Sequence, residues 1–288
     1  MGNPTVNTAP IADKRAAVLS VEGLVGAAGS ISIGPVSFAL RPGECLGVMG
    51  PSGSGKTTLL RTISLFRTPR GGQVTLADRS GDTWLIRSGE HYSATKVAAL
   101  RQRMVYVAQT TSLWPHMTIE ENVALPLRRV LKLAEEVIRT RVAALLDALE
   151  VAGLKKRRPW EVSVGEARRV AVARALALEP MVLLLDEIEA GLDSRRAERQ
   201  MELVRETCAV RHAATVVVTH APWITARFSD QIVVLSEGKV IVQGATATVL
   251  HDPVTSRVRE LLMPNGGESM LEQSGGHTIS REVGREKG

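Results

Sequence analysis

Apolar residues along the chain fall into two kinds of pattern. Short unbroken runs at Cys45–Met49, Met104–Val107, 182–185 and 216–219 read as strands buried on both faces, the form strands take in a parallel sheet covered by helices. Between 118 and 178 the spacing changes to three and four. Val142, Leu145, Leu146 and Leu149, and later Val170, Ala173 and Ala177, predict helices with one buried face. Near the start, Val18, Leu19 and Val21, then Ile31, Ile33, Val36, Phe38 and Leu40, predict short strands punctuated by Gly26, Gly29 and Gly34, with a turn at 41–44. Residues 232–235 and 240–242 flank Glu237-Gly238 and predict a hairpin. Strands alternating with helices in this way give an α/β fold.

The 288 residues suffice for one such core with an added subdomain and are too few for two. Apolar residues make up 44% and aromatics only 3%, so aliphatic side chains fill the core. A formal charge of +6 and a pI near 9.7 favour anionic partners such as nucleotides, nucleic acid or an acidic membrane face, and equally describe an ordinary solvated surface. Cys45 and Cys208 form no disulfide framework and no metal spacing, which suits a reducing cytoplasm. No apolar run approaches the ~18 residues that span a bilayer, so work at a membrane requires other chains to supply the spans. Residues 1–16 and 263–288 are expected to be a disordered leader and tail.

Candidate chemistry begins at Gly50-Pro51-Ser52-Gly53-Ser54-Gly55-Lys56-Thr57, followed by Thr58. The pattern G-x-x-x-x-G-K-[ST] matches by chance in about one chain in a hundred of this length, and here an apolar strand precedes it and a helix (from Thr58) follows. Glycines let backbone N–H groups turn inward as an anion nest, the helix adds its positive end, Lys56 brings a point charge, and the Thr57 hydroxyl is a hard ligand for Mg²⁺. Asp186 and Glu187 end the run 182–185, at the strand end where such sheets bind ligands. Asp186 is a candidate for holding Mg²⁺ and Glu187 for polarising an attacking water. His220 follows the run 216–219. It fits either a hydrogen-bonded core residue or a group that reaches a terminal phosphate or its attacking water.

From about Val18 to Leu262 the order and spacing of these motifs resemble the nucleotide-binding domains of ABC transporters. Residues 50–57 resemble the Walker A loop, 182–187 the Walker B strand with its catalytic Glu187, and Gln109 the glutamine that senses Mg²⁺ and water. Val162-Ser163-Val164-Gly165-Glu166, with the helix through 168–176, resembles the signature segment, Gly191-Leu192-Asp193 the D-loop, and His220 the switch histidine. The resemblance implies a P-loop NTPase core of mainly parallel sheet with flanking helices, an N-terminal antiparallel β subdomain and an inserted helical subdomain at about 111–178, together spanning 17–262. It implies ATP and Mg²⁺ as cofactors. Thr57, Gln109 and Asp186 would serve the metal, while Ser163 and Gly165 would contact ATP held by a second, head-to-tail subunit. Ser163 and Glu166 also fit a plain capping box.

The sequence departs from the family at Val164 (for Gly), Glu166 (for Gln), Ile188 (for Pro) and Gly191 (for Ala), and has no stacking aromatic near Ala27 or Ala28. The segment 113–123 resembles that of bacterial importers of polar amino acids. The implied partners are transmembrane permease subunits, a second ATPase subunit in a homo- or heterodimer and, for an importer, a periplasmic solute-binding protein. No nucleic acid is expected, and the implied location is peripheral, on the cytoplasmic face of the membrane. A non-transport ATPase in cell division or envelope remodelling, and the ATP-binding half of an asymmetric pair, remain as alternatives. The basic run 155–158 fits a solvated loop or a contact with anionic lipid.

Overall fold

The computed structural model describes residues 6–7, 17–29, 31–78 and 80–251. The tail lies outside these residues, and so does the leader apart from Val6–Asn7. Two sheets form. The larger contains β1 (Val6–Asn7), β4 (Cys45–Met49), β7 (Met104–Val107), β8 (Val182–Asp186), β9 (Ala214–Val218), β10 (Gln231–Ser236) and β11 (Lys239–Ala245), in the order β1-β11-β10-β4-β9-β8-β7. Strands β10, β4, β9, β8 and β7 run parallel, and β11 turns back antiparallel on β10. The smaller sheet is antiparallel, with β2 (Leu19–Ala28), β3 (Ile31–Leu40), β5 (Gly71–Ala77) and β6 (Thr83–Arg87) in the order β3-β2-β5-β6.

The apolar runs are continuous because each parallel strand has two covered faces. In β8, Val182 and Leu184 pack toward the antiparallel sheet together with Leu46, Val48, Leu59 and Ile63. Leu183 and Leu185 point the other way, into the cluster built on α3 (Ile119–Arg129), α4 (Glu135–Ala148) and α5 (Val164–Leu176). These three helices are the inserted subdomain. α1 (Lys56–Ile63), α2 (Ala94–Arg103), α6 (Ser194–Val210), α7 (Pro222–Phe228) and α8 (Thr246–His251) complete the α-helices among the described residues.

A fully buried Asn122 on α3 organises the entry to the subdomain. Its side chain accepts from Trp114 N at 2.7 Å and donates to the carbonyls of Trp114, Met117 and Thr118 at 3.1, 3.3 and 3.0 Å. Thr118 and Glu121 close a capping box at the same helix start. Asn122→Ala strands these backbone groups away from water, so it should lower unfolding stability by about 2–4 kcal/mol. Urea unfolding of the two proteins measures the difference.

Parallel pairing sets the functional geometry. Val48 lies beside Val218, Asp186 beside Val218, and Val107 beside Leu185. The C-terminal ends of β4, β9, β8 and β7 therefore meet at one edge. The segments leaving them are 50–57, 219–221, 187–193 and 108–112.

Candidate functional site

The loop after β4 is a cradle with φ of 148° at Gly50, 77° at Gly53 and 102° at Gly55. Gly55 has no room for a side chain, because a Cβ there would strike Ile33 of β3. It is the N-cap of α1 and supplies no side-chain cap, so the first N–H groups of the helix are free to meet an anion. The helix starts at Lys56 rather than at Thr58 as the sequence suggested, and this brings two more N–H groups into the cradle. Pro51, Ser52 and Gly53 are exposed, Thr57 and Thr58 half-buried, and the buried Ser54 hydroxyl has no partner.

Lys56 is only 4% exposed. Its Nζ reaches back to the carbonyls of Gly50 at 2.8 Å and Pro51 at 3.0 Å. Burial lowers its pKa, and Glu187, Asp186 and Glu189 push it back up. The ammonium, braced on two carbonyls, and the nest of N–H donors suit a polyanion, while the nearby Glu187, Asp186 and Glu189 keep the lysine charged.

Asp186 closes β8. Its Oδ1 accepts from Thr57 Oγ1 at 3.0 Å and its Oδ2 from Tyr106 OH at 2.7 Å. Thr57 and Asp186 present hard oxygens side by side, a donor set that fits Mg²⁺. Tyr106, on β7, carries no sign of a site role in the sequence. Burial and the neighbouring carboxylate push its hydroxyl pKa up to about 12, so it stays a hydrogen-bond donor.

Glu187 follows with φ of +48°, a left-handed conformation that costs a non-glycine residue about 1–2 kcal/mol. The turn aims its carboxylate away from the sheet and into the edge. Oε2 accepts from Gln109 Nε2 at 3.0 Å and Oε1 lies 2.5 Å from His220 Nε2. Gln109 therefore sits on Glu187, and the pair nearer the cradle is Thr57–Asp186. The sequence-predicted residues of the four strand ends are brought into one site.

Ser163 and Gly165 are placed differently. Ser163 caps α5, accepting from Glu166 N while Glu166 accepts from Ser163 N at 2.7 Å, so the capping box holds. Gly165 packs against Leu192, where an added Cβ would lie 3.1 Å from Leu192 Cδ2. Among the described residues neither hydrogen-bonds the loop 50–58. Val164 is exposed on the same helix start and Ile188 is fully buried. Gly191 has φ of +76°, which suits glycine over alanine there.

A family model described as ABC transporter matches residues 33–190, which is the span holding the cradle, the Thr57–Asp186 pair and Glu187. The chain belongs to the ABC transporter ATP-binding family. It binds and hydrolyses ATP. Similar proteins include the L-cystine transport system ATP-binding protein of Escherichia coli (strain K12), 34% identical over 79% of this chain and 89% of the relative. The arginine transport ATP-binding protein of the same strain is 33% identical over 76% and 88%. The sulfate/thiosulfate import ATP-binding protein of Synechococcus elongatus is 34% identical over 84% and 67%. The chain spans 60% of the length of a putative 2-aminoethylphosphonate import protein of Salmonella paratyphi A. Among solved structures, cbiO1 from Clostridium perfringens, part of the ABC transporter complex cbiONQ, superposes with a TM-score of 0.72 at 27% identity, covering 86% of this chain and 96% of that one. The ATP-binding cassette MJ0796, a dimer in a post-hydrolysis state bound to ADP and Pi, gives 0.66 at 29% identity, covering 79% and 98%.

Proposed function

We propose that this ABC ATPase powers a membrane importer, with a polar amino acid as cargo, and that Glu187 is its general base. What carries the reading is Glu187 itself, a carboxylate in a left-handed turn with Gln109 on one oxygen and His220 on the other, beside the Thr57–Asp186 pair. In this reading the N–H groups of residues 50–58 and Lys56 bind the phosphates. Thr57, Asp186 and Gln109 would serve Mg²⁺, which when bound offsets phosphate charge. Glu187 accepts a proton from the attacking water, and His220 and Gln109 hold its carboxylate in place. Ser163 and Gly165 complete the site of a second subunit, as the dimeric state of the MJ0796 cassette supports.

No described helix is long and apolar enough to cross a membrane, so the permease spans come from other chains and this subunit sits peripherally on the cytoplasmic face. A cleft of about 620 Å³ lies between Gln109's segment, α3 and α5, with Phe66, Trp114, Pro126, Val130 and Arg174 among its walls. Phe66, Trp114 and Val130 are exposed there, as suits a surface that receives a permease segment. The cystine and arginine relatives are matched over nearly their whole length, which favours amino-acid cargo, while the sulfate relative marks the main competitor.

Purification of the tagged chain from its native membranes, with ATPase assay in the presence of Mg²⁺, tests the reading. Co-isolation of polytopic membrane proteins and a solute-binding protein, and loss of labelled amino-acid uptake on deletion, are the expected results. Loss of sulfate uptake alone would overturn the cargo, and co-isolation with division proteins would overturn transport.

A further inference from the structure

Beneath the Glu187 turn lies a buried polar cluster that the mechanism above does not use. Three elements hold three successive residues of the loop after β8. Gln200 of α6 donates Nε2 to the Ile188 carbonyl at 2.6 Å. Arg168 of α5 donates Nη1 to the Ala190 carbonyl. Thr219, at the end of β9, donates its hydroxyl to Glu189 Oε1. The first two contacts grip backbone and would serve any loop sequence, whereas the third requires an acceptor side chain at position 189.

Thr219 is fully buried. Its Oγ1 also accepts from Ala221 N at 2.9 Å, and its own N–H donates to Val48 O at 3.2 Å. The hydroxyl therefore braces the backbone after His220 and ties it to the loop that presents Glu187, while the main-chain N–H anchors the residue before His220 to β4. Glu189 is 8% exposed, and its Oε2 has no partner. Burial raises its pKa and the Thr219 hydrogen bond opposes this; Glu187 raises it further and Arg168 lowers it. A buried, half-satisfied carboxylate is a poor means of stabilisation, and an apolar residue of equal size would serve the core better. The contact it makes with Thr219 is what an apolar residue lacks.

We propose that Glu189 is a positioning residue for ATP hydrolysis, setting His220 against Glu187 through Thr219. The inference rests on the reading of Glu187 and His220 as groups at the reacting phosphate. A misplacement near 1 Å at a reacting centre costs up to about 100-fold in rate. Glu189→Met in the full chain should therefore lower kcat about 10- to 100-fold with KM for ATP within about threefold of the parent. Glu189→Gln, which keeps an acceptor oxygen in the same shape, should restore the rate to within about threefold. Thr219→Val should match Glu189→Met, Thr219→Ser should match the parent, and the Glu189→Met/Thr219→Val double variant should be no slower than either single one.

If Glu189 plays no part in positioning, Glu189→Met melts at the same or higher temperature and turns over at the parent rate. That result, or additive losses in the double variant, overturns the proposal. Should Glu189→Met fail to fold, Glu189→Leu set against Glu189→Gln decides it, because neither touches the contact of Thr219 with Ala221 N. Glu187→Gln is assayed alongside. If it still turns over, the reading of the site fails; if it is inactive while Glu189→Met and Thr219→Val are normal, only the present inference fails.

Discussion

Glu187→Gln is expected to keep ATP binding and to cut turnover by at least about 100-fold. The substitution preserves shape and still offers an oxygen to Gln109 or His220, which stand at 3.0 and 2.5 Å from the carboxylate. It removes the one property an amide lacks, the capacity to take a proton from water. Binding should survive because the cradle at residues 50–57 and Lys56 are untouched. The loss of a carboxylate beside a phosphate site removes like-charge repulsion, so affinity should hold or tighten. Equilibrium binding of ATP with Mg²⁺, set against single-turnover phosphate release, separates the two effects. Turnover within a few-fold of the parent would show that the proton goes elsewhere.

The parts of this site legible in the sequence were those written locally. The cradle is eight consecutive residues, and its geometry follows from glycines flanked by a strand and a helix. Asp186 and Glu187 were legible because an unbroken apolar run delivers them, and the run is unbroken because β8 is covered on both sides. The stretch from 65 to 103 carries no comparable signal. There β5 opens on two glycines and buries only Val74 and Leu76, β6 buries only Ile86, and α2 buries just Leu100, so the apolar pattern is too short to stand out.

Tyr106, Thr219 and Glu189 were missed as site residues for a different reason. Each gains its role from a partner distant in sequence: Tyr106 from Asp186 80 positions on, Glu189 from Thr219 30 positions on. In the sequence alone Glu189 is one more acid after Asp186-Glu187. It becomes a buried carboxylate only when α5, α6 and the end of β9 close over the loop. Tertiary pairing of polar side chains leaves no periodic trace, while strand burial and turn chemistry do.

Lys56→Met is expected to weaken ATP binding about 10- to 100-fold, the worth of one or two hydrogen bonds from a charged donor, and to abolish turnover at ordinary ATP concentrations. In the free protein this lysine is a liability. It is 4% exposed, burial depresses its pKa, and its ammonium is satisfied by the carbonyls of Gly50 and Pro51 and by the field of Glu187, Asp186 and Glu189. Methionine fills the same space without the desolvation cost, which offsets the loss of the donor to the Gly50 and Pro51 carbonyls, so the melting temperature should stay within a few degrees of the parent. The two observables thus move apart: affinity falls while stability does not. A variant that melts several degrees lower and binds weakly would point to a damaged loop rather than a lost charge. A variant that binds ATP within threefold of the parent would mean that the N–H nest alone carries the phosphates and that Lys56 serves only to brace the loop.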